Sequence, residues 1–168
     1  MPLRSLLFAA AAFVCFSAAA SAQPLLSDKK VLSSAAAQKI VDACSAIAAK
    51  THSDIAIAVV DSSGNLLDFH AMEGASEAGI TKAQLKAKTA ARWRRTTEDL
   101  FQRVNKQINR APEFLGDFPQ PGGYPLFVNG QLVGAVGAGG GNGTEDEDCA
   151  KAAIAQVFGK TATITRAP

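Results

Sequence analysis

The spacing of apolar residues predicts a helix from about residue 34. Ser33 or Ser34 can act as its N-cap, and the pattern ends near Lys50. The apolar positions recur every third or fourth residue and are mostly alanine: Ala36, Ile40, Ala43, Cys44 and Ile47. We therefore expect an amphipathic helix that packs closely against its neighbours.

Two pairs of strands are predicted, each joined by a turn that contains glycine. Residues 55–60 form a β-branched and apolar run, and residues 66–72 follow after a short turn. Further along, residues 126–128 and 131–136 flank the dipeptide Asn-Gly, which tolerates the positive φ of a type I′ turn. Both pairs are hairpins, so the sheet they form is expected to be antiparallel.

Three more helices are predicted around these hairpins. Residues 80–93 carry an alanine-rich face with lysines between the alanines. A shorter helix begins at Thr96, which has an acid three places later as in a capping box, and runs toward Lys106. A last helix begins with a second capping box at Thr144 and ends at Gly159.

Proline and glycine mark the segments without regular structure. Residues 107–123 contain several of both, a composition that cannot sustain a helix or a central strand, and residues 137–143 form a flexible glycine run. The order of elements contains no repeated strand-helix-strand unit. The predicted class is therefore α+β, with an antiparallel sheet of two hairpins flanked by helices.

The first 22 residues have the features of a secretory signal peptide. Arg4 gives a positive start, residues 6–16 are apolar, and Ala20-Ser21-Ala22 offers a small-x-small cleavage site. The apolar run is shorter than the ~20 residues that a membrane-spanning helix needs. We expect a periplasmic or secreted protein without a membrane span, with one domain over residues 23–160 and a flexible tail over residues 161–168.

Removal of the signal peptide changes the charge only slightly. It leaves 146 of the 168 residues and lowers the formal net charge from +2 to +1, because Arg4 is the only charged residue in residues 1–22. A near-neutral exported chain gives no reason to expect nucleic-acid binding. Two cysteines remain, Cys44 and Cys149, and in an oxidising compartment they either form a disulfide or stay as buried free thiols.

Six short segments resemble the GlcG/HbpS family in order and spacing, over roughly residues 32–158: DSSGNL (61–66), MEGA (72–75), KAKTA (86–90), GGYPL (122–126), VGAVG (133–137) and DEDCA (146–150). The resemblance implies a helix-flanked antiparallel sheet of profilin-like layered architecture, a homo-oligomer, and haem binding outside the cytoplasm. One departure is Ala71, where the family commonly has arginine. Related domains accompany cobalamin adenosyltransferases and glycolate-utilisation operons. The alternative function is therefore an accessory domain or enzyme that binds a small organic acid or a corrinoid.

If haem is the ligand, its iron needs an axial ligand such as His or Met. The chain has two histidines. His52 follows the first helix, where an imidazolium is favourable to the helix dipole. His70 lies in the second strand two places before Met72, so the two side chains are expected on one face. This face is the predicted iron-binding face, and the alternative is a solvent-facing or core-edge histidine.

Basic residues on the second helix are the predicted contacts of the two haem propionates. Lys82, Lys86 and Arg92 come close together at helical spacing, and an ordinary solvated face is the alternative. Thr97 is expected either to face the ligand or to cap the third helix. Haem would then lie between this helix, the hairpin around His70 and the loop from Pro112 to Tyr124, with Tyr124 as a further ligand contact.

Other kinds of site find little support. The glycine run does not match G-x-G-x-x-G, because the sixth position from Gly137 is Asn142. The acids at residues 145–148 suit the start of a helix, with a hard-cation site as the less favoured alternative. No Gly-x-Ser-x-Gly occurs, and zinc ligands are too few. We therefore assign no catalytic residue and no further metal, although bound haem can be degraded slowly with little help from protein groups.

Overall fold

The computed structural model describes residue 25 and residues 28–165, so the predicted signal peptide lies outside the described residues. Five helices and five strands follow in the order α1 Ser34–Lys50, β1 Ala56–Asp61, β2 Leu66–Ala71, α2 Glu77–Trp93, α3 Thr97–Asn105, α4 Ala111–Phe114, β3 Gly123–Val128, β4 Gln131–Gly139, α5 Gly143–Phe158 and β5 Ala162–Thr163. A 3-10 turn at Gly159–Thr161 precedes β5. In this part of the chain no helix is both long and apolar enough to cross a membrane.

The strands form one antiparallel sheet in the order β2-β1-β4-β3-β5. The two predicted hairpins are present, and β1 and β4 join them side by side. The predicted α+β class, an antiparallel sheet of two hairpins flanked by helices, is therefore confirmed.

Helices cover both faces of the sheet, and side chains of β1 alternate between them. Ile57 and Val59 pack with α1 and α5, whereas Ala56, Ala58 and Val60 pack with the alanine face of α2. We call these the α1–α5 face and the α2 face. Because β1 is buried on both sides, its sequence is a continuous apolar run and not an alternation.

The glycine run is partly strand, which corrects the expectation of a flexible segment from residue 137. Gly137 and Gly139 belong to β4, where α2 crosses the strand closely. A Cβ on Gly137 would overlap the backbone of Ala83, and a Cβ on Gly139 would lie 2.6 Å from the carbonyl oxygen of Gly79. These glycines allow close contact between helix and strand and do not provide flexibility.

Several boundaries also differ from the predicted ones. The one-turn helix α4 forms inside the long loop because Pro112 lies in its first turn, where proline is tolerated. The cap of α5 is Asn142, whose capping box with Glu145 takes the place predicted for Thr144. A short strand, β5, pairs with β3 at Val128 within the predicted flexible tail, of which residues 166–168 lie outside the described range.

Cys44 and Cys149 form a disulfide that joins α1 to α5 on the α1–α5 face. Their Cα atoms are 5.0 Å apart, and both residues are buried. The bridge was one of two outcomes left open by the sequence. It links positions separated by 105 residues and therefore closes most of the domain into one covalent loop.

Candidate functional site

The long loop between α3 and β3 is fixed to α2 through two loop residues. The Arg92 guanidinium donates to one carboxylate oxygen of Asp117 at 2.9 Å, and the Trp93 indole N–H donates to the other at 2.7 Å. The backbone N–H of Phe118 donates to the hydroxyl of Thr89 at 2.9 Å. The Asp117 side chain is only 3% exposed, so this ion pair holds the loop along the helix.

Lys86 is buried and bonded to two elements at once. Its Nζ donates to Oδ2 of Asp146 at 2.6 Å and to the carbonyl oxygen of Ala138 at 2.9 Å. The two charged side chains are 4% and 3% exposed, and Oδ1 of Asp146 accepts the N–H of Gly141 at 3.1 Å. Burial lowers the pKa of Lys86 below its usual value, against the opposing effect of Asp146. The pair connects α2, β4 and α5 at one end of the sheet.

A cleft of about 250 Å³ opens beside this ion pair. Its lining combines two lysines, one carboxylate, and residues of the long loop and the α5 start: Lys82, Lys86, Phe118, Gln120, Pro121, Gly141, Gly143 and Asp146. Lys82 is exposed and belongs to none of the ion pairs of the described residues. We call this the lysine cleft. It brings together the predicted Lys82 and Lys86, while Arg92 is bound to Asp117 and does not line it.

Thr97 packs in the interior and is not exposed to a ligand cleft. Thr96 caps α3 by accepting the N–H of Asp99, so the capping role considered for Thr97 is wrong. Thr97 is fully buried, and its hydroxyl accepts the N–H of Gly123 at 2.8 Å. A Cβ on Gly123 would lie 2.6 Å from the Thr97 methyl carbon, so the two residues pack tightly where β3 begins.

Tyr124 is also buried, and its phenol takes part in a small network on the α1–α5 face. The hydroxyl donates to Glu147 of α5, and Lys151 lies 5.3 Å from the ring centroid and 3.7 Å from the Glu147 carboxylate. Burial and the negative charge of Glu147 raise the pKa of Tyr124 well above its usual value. The ring is 2% exposed and belongs to the core, so it does not line the lysine cleft.

The phenol of Tyr124 is expected to stay protonated at pH values where a free tyrosine ionises, at about pH 10. Tyr124 is the only tyrosine of the chain, so tyrosinate absorbance in an alkaline titration reports this group alone. The folded state binds this proton more tightly than the unfolded state does. The Tyr124 phenol therefore contributes to the free energy of unfolding below pH ~10, and this contribution is lost as the pH rises above that value. Glu147→Gln removes the negative charge and is expected to lower the pKa of Tyr124 in part. A normal tyrosine titration in the folded protein would contradict the buried network.

His70 and Met72 are not in the same cleft as the lysines, which corrects the predicted arrangement. His70 pairs directly with Ile57, so it lies on the α1–α5 face of the edge strand β2, and Met72 packs against the same cluster. The lysine cleft lies at one end of the sheet, between α2, the long loop and the start of α5, and neither His70 nor Met72 lines it. His70 is exposed, and its role as an iron ligand stays a prediction for a separate surface.

Two polar side chains of the cleft, those of Asp146 and Gln120, were missed from the sequence. Asp146 was assigned to the helix dipole, with a hard-cation site as the alternative, although a buried lysine on α2 needs a carboxylate partner. Gln120 lies in a loop whose path the local pattern does not determine. Among the described residues, no group of three or more His, Cys, Asp or Glu side chains is placed to hold a metal ion.

The family comparison gives one strong match. A family model described as haem degrading protein HbpS-like matches residues 32–155, most of the chain. The protein GlcG of Escherichia coli strain K12 is 35% identical over 112 residues, which cover 65% of this chain and 81% of GlcG. An uncharacterised 15.0 kDa protein of Citrobacter freundii is 30% identical over 124 residues, covering 71% of this chain and 87% of that protein.

Solved structures agree with this match. A double mutant of Streptomyces reticuli HbpS is 30% identical, with a TM-score of 0.74, covering 88% of this chain and 98% of that one. A PduOC:haem complex has a TM-score of 0.75 over 81% of this chain and 99% of that one, and at 24% identity this likeness shows the shared fold alone.

Proposed function

The chain belongs to the family described as haem degrading protein HbpS-like, and from that premise we propose that it is an exported haem-binding protein. The observation that carries the proposal is the family match over residues 32–155, together with 30% identity to Streptomyces reticuli HbpS. The shared fold adds support, because PduOC has the same fold and was crystallised with haem.

The lysine cleft is the proposed site of contact with haem. Two ammonium groups suit the carboxylates of haem, and Phe118 and Pro121 provide apolar surface beside them. Arg92, Thr97 and Tyr124 support this region without lining the cleft: Arg92 fixes the loop, Thr97 fixes the start of β3, and Tyr124 packs in the core.

Export is a second part of the proposal. It is supported by the signal-peptide pattern of residues 1–22 and by the Cys44–Cys149 bridge, since disulfides persist in oxidising compartments and are rare in the cytosol. The mature protein recovered from a periplasmic or secreted fraction should begin at Gln23. Full-length protein confined to the cytosol would contradict export.

Self-association is a third part. Val31, Ile108, Phe114 and Leu115 are large apolar residues that are 57% or more exposed, which favours contact with another protein surface. Sedimentation of the mature protein at several concentrations should show a species larger than the monomer, and a monomer at all concentrations would contradict it.

Hemin added to the purified protein is expected to show a saturable shift of its Soret band. His70→Ala should leave the affinity within about twofold if the lysine cleft is the only site, because His70 does not line that cleft. A tenfold loss in this variant would instead place the iron at the β2 edge. A time course of the same samples tests haem degradation, which the family description suggests.

Two different results of this hemin titration would contradict the proposed haem binding. A spectrum identical to that of free hemin at every protein concentration would overturn haem binding altogether. A shift without saturation would indicate nonspecific adsorption of hemin, and would also count against the proposal.

A further inference from the structure

The lysine cleft is too small to enclose a porphyrin. Pockets that enclose drug-sized ligands usually measure about 300–1,000 Å³, and the lysine cleft measures about 250 Å³. A macrocycle larger than such ligands must lie outside it. The cleft has room for a small acid or for one side arm of a larger molecule.

Lys86 has one hydrogen-bond donor that the protein does not use. An ammonium group has three N–H donors, and within the described residues two of them are bonded, to Asp146 and to the carbonyl oxygen of Ala138. The side chain is 96% buried, yet its residue lines the cleft. The remaining N–H is therefore available to a ligand that enters the cleft, in surroundings where water competes poorly.

Gly122 allows the loop backbone to pass close to this ammonium group. A Cβ at this position would lie 2.9 Å from Nζ of Lys86 and 2.8 Å from Cβ of Asp146. The φ of Gly122 is +118°, which side chains rarely adopt. The loop can therefore pass directly over the ion pair without covering it with a side chain.

The charges of the cleft are suited to a single negative charge. Lys82 and Lys86 carry one positive charge each, and Asp146 carries one negative charge, so the lining has an excess of one positive charge. Gln120 adds an amide donor at the same opening. Glu145 is not among the lining residues: it accepts the backbone N–H of Asn142 and lines a neighbouring cleft that contains four acidic side chains.

We propose that the lysine cleft binds one carboxylate group, held by Lys86 and Lys82. The carboxylate belongs either to a propionate arm of haem, with the macrocycle outside against the loop, or to a free small organic acid. The haem-propionate alternative rests on the proposed function, whereas the free-acid alternative does not depend on it.

Two pairs of probes distinguish the sources of the carboxylate. Hemin is compared with hemin dimethyl ester, in which both propionates are blocked, and the ester is expected to bind at least tenfold more weakly because the charged hydrogen bond is lost. Sodium propionate and sodium glycolate, without haem, are tested for a rise in melting temperature.

The variants are chosen so that at least one folds normally. Lys82→Gln changes an exposed residue and is expected to weaken hemin or acid binding about threefold to fivefold. The double variant of Lys86→Met with Asp146→Asn removes the buried donor without leaving a buried charge, and should weaken binding tenfold or more. Lys88→Gln is the control, because Lys88 is exposed on the same helix but lies next to the turn at Gly64. It is expected to bind like the wild type.

The outcomes separate the two proposals. Preference for hemin over its ester, or stabilisation by a free acid, supports the carboxylate site if Lys82→Gln reduces it and Lys88→Gln does not. Stabilisation by acids without hemin binding keeps the site and overturns the haem function. Equal binding of hemin and its ester, with no effect of acids and no effect of Lys82→Gln, overturns the site while haem binding stands.

Discussion

Replacing Cys44 and Cys149 by alanine is expected to lower the free energy of unfolding by about 4–5 kcal/mol. The bridge closes a loop of 105 residues, and the loss of chain entropy that it imposes on the unfolded state grows with loop length. For a domain of this size, such a loss lowers the melting temperature by roughly 10–20 °C. Urea unfolding of the oxidised protein and the double variant measures the difference.

The controls for this prediction use the same two positions. Wild-type protein with a reductant in the unfolding buffer should approach the stability of the double variant, because both lack the cross-link in the unfolded state. Unfolded protein prepared without reductant should show no titratable thiol from Cys44 or Cys149. Two free thiols in that sample would show that the bridge is not formed and would refute the prediction.

Lys86→Met is expected to destabilise the protein by about 3–5 kcal/mol. The substitution leaves the Asp146 carboxylate, which is 3% exposed, without its counter-charge, and it removes the donor to the carbonyl oxygen of Ala138. A buried charge without a partner is costly because it has lost its water. Chemical denaturation monitored through Trp93, the only tryptophan, measures the change.

A double-mutant cycle separates the ion pair from other effects of the substitution. Asp146→Asn alone leaves the Lys86 ammonium buried and should also destabilise, whereas the two changes together should cost less than the sum of the single changes. Lys88→Gln, on the exposed side of the same helix, should remain within about 0.5 kcal/mol of the wild type. A Lys86→Met variant as stable as Lys88→Gln would show that the pair is solvated in solution.

Both predictions concern contacts between segments that are far apart in the chain. The disulfide joins α1 to α5 across 105 residues, and Lys86 and Asp146 are 60 residues apart. A local pattern shows that each residue lies on a helix, but does not show which helices meet. The sequence therefore left the disulfide open and treated Lys86 as a member of a solvated or ligand-binding face.

The local sequence correctly predicts the cap of α3 but misplaces the cap of α5. Thr96 was predicted as a cap from the acid three places later, and its hydroxyl accepts the Asp99 N–H as expected. The same rule placed the last cap at Thr144, while the structure uses Asn142 and Glu145, which satisfy it equally well two residues earlier. Two overlapping capping motifs are present here, one starting at Asn142 and one at Thr144. The path of the chain after β4 selects the one that starts at Asn142.

The hairpins, the helix that carries the lysines and the family were all predicted from local sequence. These depend on short-range causes: the glycine-containing turns, the repeat of alanines on α2, and the order of six segments. Which of the candidate residues share a site depends on how the elements pack in three dimensions. The strand order β2-β1-β4-β3-β5 puts His70 at one edge and on the α1–α5 face, while α2 carries Lys82 and Lys86 on the other face. The physical reason is that neighbours across a sheet are chosen by long-range packing, which no local periodicity encodes.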